Sequence, residues 1–266
     1  MTQPPLSQYF SANEGDGRRY RHPHTGELLP SVTTILKESP KNLEQWAANL
    51  TMEWAVENWM YLGNTSNEKG MRAGKYRWKD VRDERAGVGD GVHSYIEAEH
   101  RGLWEFPDLN EEQEAIIEQF HWLKTQHEIE PVQTELTVWK PGRYAGTLDG
   151  LWRIDGELKL IDVKTSKNHW PEHDFQISGL AHAPLALISL VDHPDPKKKE
   201  HWQEIDNPAH ISKIDGAAVI HLRADKAEII PIENIEENWK VFEALTDVWY
   251  AKRALEEKQK ENNNAA

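Results

Sequence analysis

Gly146-Thr-Leu-Asp-Gly150 and Glu157-Leu-Lys-Leu-Ile-Asp-Val-Lys164 are two strand-like runs separated by Asp155-Gly156. Side chains alternate faces along a strand, so Asp162 and Lys164 share one face and Ile161 and Val163 the other. In the first run, Ala145, Thr147, Asp149 and Leu151 are expected on a common face. Asp-Gly between two such runs predicts a tight hairpin. That hairpin would bring Asp149 and Asp162 to one oxygen-rich pocket, of the kind Mg²⁺ or Mn²⁺ prefers. Two carboxylates with a lysine beside them match the layout of a metal-dependent phosphodiesterase site. Asp-x-Lys by itself also fits a solvated strand edge, so the rest of the chain has to decide.

Upstream, Gly87-Val-Gly-Asp-Gly-Val-His-Ser-Tyr-Ile-Glu-Ala-Glu99 passes from glycines into a helical pattern. His93 and Glu97 are four apart and share a helical face. A histidine can complete a metal shell, and a nearby acid can orient it or help hold a second ion. A capped surface helix with a His–Glu pair explains the same spacing. Downstream, Asp174-Phe-Gln-Ile-Ser-Gly-Leu-Ala-His-Ala183 opens an apolar helix expected to run toward Leu190, with a kink or break at Pro184. Gln176 falls in its first turns, where an amide could position water or a phosphate oxygen.

In order these are a helix with Gly-x-x-His, a strand with Gly-x-x-Asp-Gly, a strand with Asp-x-Lys-Thr and a helix with Gln. The order resembles the RecB-like branch of the PD-(D/E)XK nuclease superfamily, closest to phage exonucleases related to the CRISPR adaptation nucleases. The likeness spans roughly residues 30–250 and includes Leu29-Pro-Ser-Val-Thr-Thr-Ile-Leu36. It implies an α/β fold: a restriction-endonuclease-like core with a mixed central sheet flanked by helices, plus a helical N-terminal region. It implies that His93, Asp149, Asp162 and the Val163 carbonyl hold one or two Mg²⁺ or Mn²⁺ ions. By the same resemblance, Lys164 orients the attacking water and Gln176 assists near the phosphate. Glu97 would be a supporting or second-metal residue. The expected activity is exonucleolytic hydrolysis of DNA ends in phage or bacterial recombination, repair or processing. The alternatives are an endonuclease of the same superfamily, or a nucleic-acid-binding or protein-binding module on this fold with little or no cleavage. Two departures stand out. Leu180 occupies a position that is often tyrosine in the family, and the chain has no cysteine, which excludes the iron–sulfur cluster of the CRISPR-associated relatives.

The 266 residues suffice for one substantial core and a subdomain. The expected organisation is an N-terminal hairpin and helical region at 1–86, a nuclease core at 87–255 and a frayed tail at 256–266. The N-terminus lacks a basic-then-apolar leader, and no apolar run approaches a membrane span, so a cytoplasmic protein of a bacterial cell or phage-infected host is expected. A net charge of −14 argues against a broad non-specific DNA surface but allows a local basic path. Residues 69–85 offer one, with Arg72, Lys75, Arg77 and Trp78 as the expected DNA contacts. Basic residues interleaved with aromatics suit a single strand or a free end. A solvated helix answering Asp80, Asp83 and Glu84 is the other reading. The resemblance also implies a recombination partner protein.

Several further elements are expected. They are a hairpin at 18–29, a short helix capped by Ser31, and a helix at 43–62 whose Trp46, Leu50, Trp54 and Trp59 are core. A helix follows Asn110, and strand structure begins at 132–139. Residues 192–208 should be loop, 216–223 and 227–232 a hairpin, and 236–257 a last helix. Trp239, Phe242, Leu245, Val248 and Trp249 should face inward from that helix.

Overall fold

The protein is described by a computed structural model over residues 11–14, 17–39, 43–59, 68–190 and 195–265. It is a mixed α/β fold around a seven-stranded sheet. The strands are β4 (Ile129–Lys140), β5 (Tyr144–Ile154), β6 (Glu157–Lys164), β7 (Leu185–Ser189), β8 (Trp202–Asp206), β9 (Gly216–Arg223) and β10 (Lys226–Pro231), in the order β10-β9-β6-β5-β4-β7-β8. Every neighbouring pair is antiparallel except β6 and β9, which run parallel. A three-stranded sheet of β1 (Ser11–Glu14), β2 (Gly17–Arg21) and β3 (Leu28–Pro30) precedes it. The α-helices among the described residues include α1 (Val32–Ile35), α2 (Leu43–Glu57), α3 (Glu68–His100), α4 (Glu111–Gln126), α5 (Pro171–Ala181) and α6 (Ile235–Ala265). No helix among the described residues is long and apolar enough to cross a membrane.

The hairpin expected from Asp155-Gly156 forms, with Ile154 paired to Glu157. Both turn residues are left-handed, with φ of 50° and 86°, as a two-residue turn of this hand requires. Ser31 caps α1 by accepting from the Thr34 amide. Asn110 and Gln113 form a reciprocal capping box that starts α4.

The sheet is packed on both faces. On one side Leu136, Leu148, Leu151, Leu160 and Val219 meet Ile177 and Leu180 of α5 and Phe242 and Trp249 of α6. On the other, Trp152, Ile161, Val163 and Ile220 meet Val92 and Ile96 of α3 and Phe120 of α4. Burying each such side chain contributes about 1.5–3 kcal/mol. A third cluster joins the small sheet to the large one through Tyr20, Leu29, Trp139, Ala145, Leu187 and Trp202.

The structure corrects several expectations. The glycine-rich stretch does not begin a helix; α3 runs unbroken through Gly87, Gly89 and Gly91 from Glu68, across the 86/87 boundary. Gly91 lets α4 approach, since a Cβ there would lie 2.1 Å from Gln113 Nε2. The helix expected to run toward Leu190 does not: α5 stops at Ala181, breaking before Pro184, and the chain enters β7. Within 192–208, expected as loop, residues 202–206 form the edge strand β8. Of the tryptophans expected as core, Trp46 in α2 and Trp59 beyond its end are 37% and 68% exposed, while Trp54 is half-buried against Gly74 of α3, on which α2 mainly packs. Residues 60–62 of that expected helix lie outside the described residues. Val248 is exposed, unlike Phe242 and Trp249, and α6 continues through the Asn-rich end to Ala265.

Candidate active site

The pairing of β5 with β6 stops at Gly150 and Ile161, whereas β6 continues alongside β9 as far as Lys164. Beyond Ile161, β6 therefore presents main-chain groups toward β5 without a ladder partner from it. Asp149 fills that gap: its Oδ2 accepts the Val163 amide at 2.7 Å. A buried amide needs such an acceptor. The alternation of β5 slips here, because Leu148 and Leu151 enter the same core while Ala145 enters another. Asp149 and Leu151 thus do not share the common face expected of them.

Four of the expected side chains converge on this gap. His93 Nδ1 of α3 lies 3.4 Å from Asp149 Oδ2. Lys164 Nζ lies 2.6 Å from Asp162 Oδ2, on the shared strand face read from the sequence. Gln176, one turn into α5, donates from Nε2 to Asp162 Oδ1 at 2.9 Å. Lys164 and Gln176 thus each hold one oxygen of the buried Asp162. Glu97 lines the same cavity as His93, Asp149 and Val163, with Arg101 paired to it at 2.6 Å.

The electrostatics divide the two aspartates. Asp162 is 1% exposed, and burial pushes its carboxyl up to about 6 despite the opposing charge of Lys164. Asp149 moves the other way: burial alone would raise it, but His93, Lys164 and the Val163 amide hold it below the usual carboxylate range. Lys164 is raised, since Asp162 and Asp149 outweigh the penalty of burial. His93 is raised too, because Asp149 outweighs burial there.

Sequence reasoning missed Glu135. In the register that pairs Thr134 with Gly150 and Leu136 with Leu148, it falls opposite Asp149. It holds a left-handed φ of 51° inside β4, just past a register shift between Pro131 and Gln133. Bulges of this kind re-aim side chains beside functional sites. Burial, then Glu97 and Asp149, push its carboxyl up to about 7, and its Oε2 is buried without a hydrogen-bond partner. Counting back through the Pro141-Gly142 turn would have placed it. His100, at the end of α3, was missed as well. It stacks edge-on against Trp152 at 4.6 Å, and burial lowers its pKa to about 4.

The expected DNA-contact residues lie on α3, apart from this cluster in sequence. Arg72 and Lys75 are exposed, while Arg77 and Trp78 are half-buried. Lys75 and Lys79 sit over the Tyr76 ring, and Lys79 and Arg82 over Trp78. The stripe is therefore an interleaved cation–aromatic surface, with Arg85 tied to Glu112. Leu180 is 1% exposed in the core and so is not available for a DNA contact.

In comparisons with known proteins, the chain matches no family model and no curated protein.

Proposed function

We propose that this protein is a metal-dependent deoxyribonuclease on a PD-(D/E)XK core, acting on DNA ends. The observation behind this reading is the gathering of Asp149, Asp162, Lys164, Gln176 and His93 where β5 and β6 part. The order α3, β4-β5-β6, α5, with β9 parallel to β6, supports the same core.

The donor set suits Mg²⁺ or Mn²⁺, being carboxylate oxygens with one imidazole. Among the described residues no three His, Cys, Asp or Glu side chains stand gathered as a ready cage. Asp162 is held instead by Lys164 and Gln176. The fit rests on the carboxylates around one cavity: Asp162 is buried to 1% exposure with its carboxyl pushed up to about 6, Asp149 lies beside it, and Glu135 Oε2 is buried there without a hydrogen-bond partner. A cation would favour the charged form of such buried acids. His93, Asp149, Asp162 and the Val163 carbonyl would hold it, with Glu97 in support. When bound, the ion would supply Lewis acidity toward the phosphate and a more acidic water.

The chain's own residues do the rest. Lys164 keeps its proton and adds positive charge where the phosphoryl group gains negative charge. Gln176 fixes the rotamer of Asp162, and His93 that of Asp149. The cation–aromatic stripe on α3, including Arg72, Lys75, Arg77 and Trp78, suits a single strand or a free end. A role in phage or bacterial DNA recombination or processing, in the cytoplasm and beside a partner protein, accords with that substrate.

The test is digestion of end-labelled linear DNA and of covalently closed circles. Mg²⁺ or Mn²⁺ should support loss of label from the linear substrate, EDTA should abolish it, and circles should be largely spared. Binding without any cleavage would make the protein a DNA-binding module, and rapid nicking of circles would make it an endonuclease.

A further inference from the structure

A second cavity, of about 220 Å³, opens between β4, β7 and β8, lined by Gln133, Glu135, Thr137, Leu187, Ser189 and Trp202 among others. Glu135 lines both this cavity and the one holding His93 and Asp149. The two are neighbours across β4, where the strand's register shift and left-handed residue lie. Thr137 bonds to Thr147 at 3.0 Å, and Thr147 to Tyr20 at 3.0 Å, so a fixed hydroxyl chain underlies the cavity. Trp202 is anchored from behind, its indole donating to the Pro196 carbonyl at 3.0 Å.

The lining selects the occupant. Its one ionisable side chain is the acid Glu135, and no basic side chain lines it to attract a phosphate. The remaining polar groups are an amide and hydroxyls, each able to donate and accept. The other walls are indole and aliphatic. Flat neutral heterocycles with mixed donor and acceptor edges match such a lining, and the volume is below that of a typical drug-sized site. We propose that this cavity takes one nucleobase of the DNA strand, withdrawn from its stack beside the bond to be cut. The proposal rests on the nuclease reading and deepens it. Unstacking costs least at an unpaired or terminal nucleotide, so a base pocket next to the phosphate site favours strand ends without any need for a duplex-binding surface.

The experiment uses DNA carrying 2-aminopurine, an adenine analogue that brightens when unstacked, at each of the first positions from either end. Binding to the full-length protein is read in Ca²⁺, by fluorescence and by anisotropy of a distal dye. A rise confined to one or two adjacent positions is expected with wild type. Ser189 is exposed at the rim, so Ser189→Trp fills the cavity without disturbing the core. That variant should lose the rise and raise KM about tenfold, as loss of one base's stacking does. Gln133→Leu, also exposed, should weaken the rise without abolishing cleavage. If wild type cuts linear DNA but no position brightens, or if Ser189→Trp leaves both the rise and KM unchanged, the pocket assignment is wrong while the nuclease reading stands. If wild type neither binds nor cuts DNA, both fall together.

Discussion

Asp162 and Lys164 form one buried pair with two separate duties, and their substitutions should separate them. Asp162→Ala removes a cation ligand, so Mn²⁺ affinity and turnover should fall together. Lys164→Ala should keep the affinity and lose on the order of 10²–10³ in kcat. Gln176 touches only Asp162 among the site residues, so it is a positioning residue. Gln176→Leu should weaken cation binding more than it lowers kcat at saturating cation, and Gln176→Glu should not rescue it. Glu135 supplies a pH test. Its folded pKa, about 7, stands above the ordinary 4.5. The folded state therefore holds its proton longer than the unfolded chain, and stability present at low pH erodes as pH rises from 4.5 through 7. Glu135→Gln mimics the protonated form and should remove this slope. In EDTA it should match wild type in acid and exceed it by ~3 kcal/mol above the folded pKa, by urea unfolding. Parallel stability curves for the two proteins would show that Glu135 is not buried as described.

At the scale of elements, the path of α3 decides where His93 sits. Its glycines cost about 1 kcal/mol each in helix propensity, and from sequence they read as a start signal. Tertiary contact overrides that cost: Gly91 abuts Gln113, whose side chain caps α4 and donates to the Gly87 carbonyl. Gly91→Ala should displace the Gln113 amide and break the capping box. The lost cap, about 1 kcal/mol, is offset by the gain in helix propensity, so stability should change little while amide exchange at Asn110 and Gln113 speeds up. Unchanged exchange at both amides would contradict that packing. The Asp155-Gly156 hairpin and the Asn110 cap were legible because they are local chemistry. The slip of alternation at Asp149-Gly150, the strand after Pro184 and the edge strand β8 were not. Each is set by a partner distant in sequence, and β8 offers only a short run with a polar outer side. Trp46 and Trp59 misled for a related reason, because helical spacing shows that a face exists and not that anything covers it.

For the whole molecule, a net charge of −14 must coexist with a polyanionic substrate. On this account, attraction is local to the α3 stripe. Replacing Arg72, Lys75 and Arg77 together with Glu should raise KM and flatten its dependence on salt. Fold stability should stay near wild type, since Arg72 and Lys75 are exposed and Arg77 half-buried. An unchanged salt slope would put the DNA path elsewhere. His93, Asp149, Asp162, Lys164 and Gln176, named from sequence, do meet in space, but Glu135 joined them only through the β4–β5 register, and both cavities became visible only once the sheet was assembled. The most direct test of the central claim pairs two readings on one preparation: Mn²⁺ binding by calorimetry, and release of label from linear DNA. Wild type should bind and cut, Lys164→Ala should bind without appreciable cutting, and Asp162→Ala should do neither. Full cutting by folded Lys164→Ala or Asp162→Ala, or undiminished cutting in EDTA, would contradict the assignment of this cluster as a metal-dependent phosphodiesterase site.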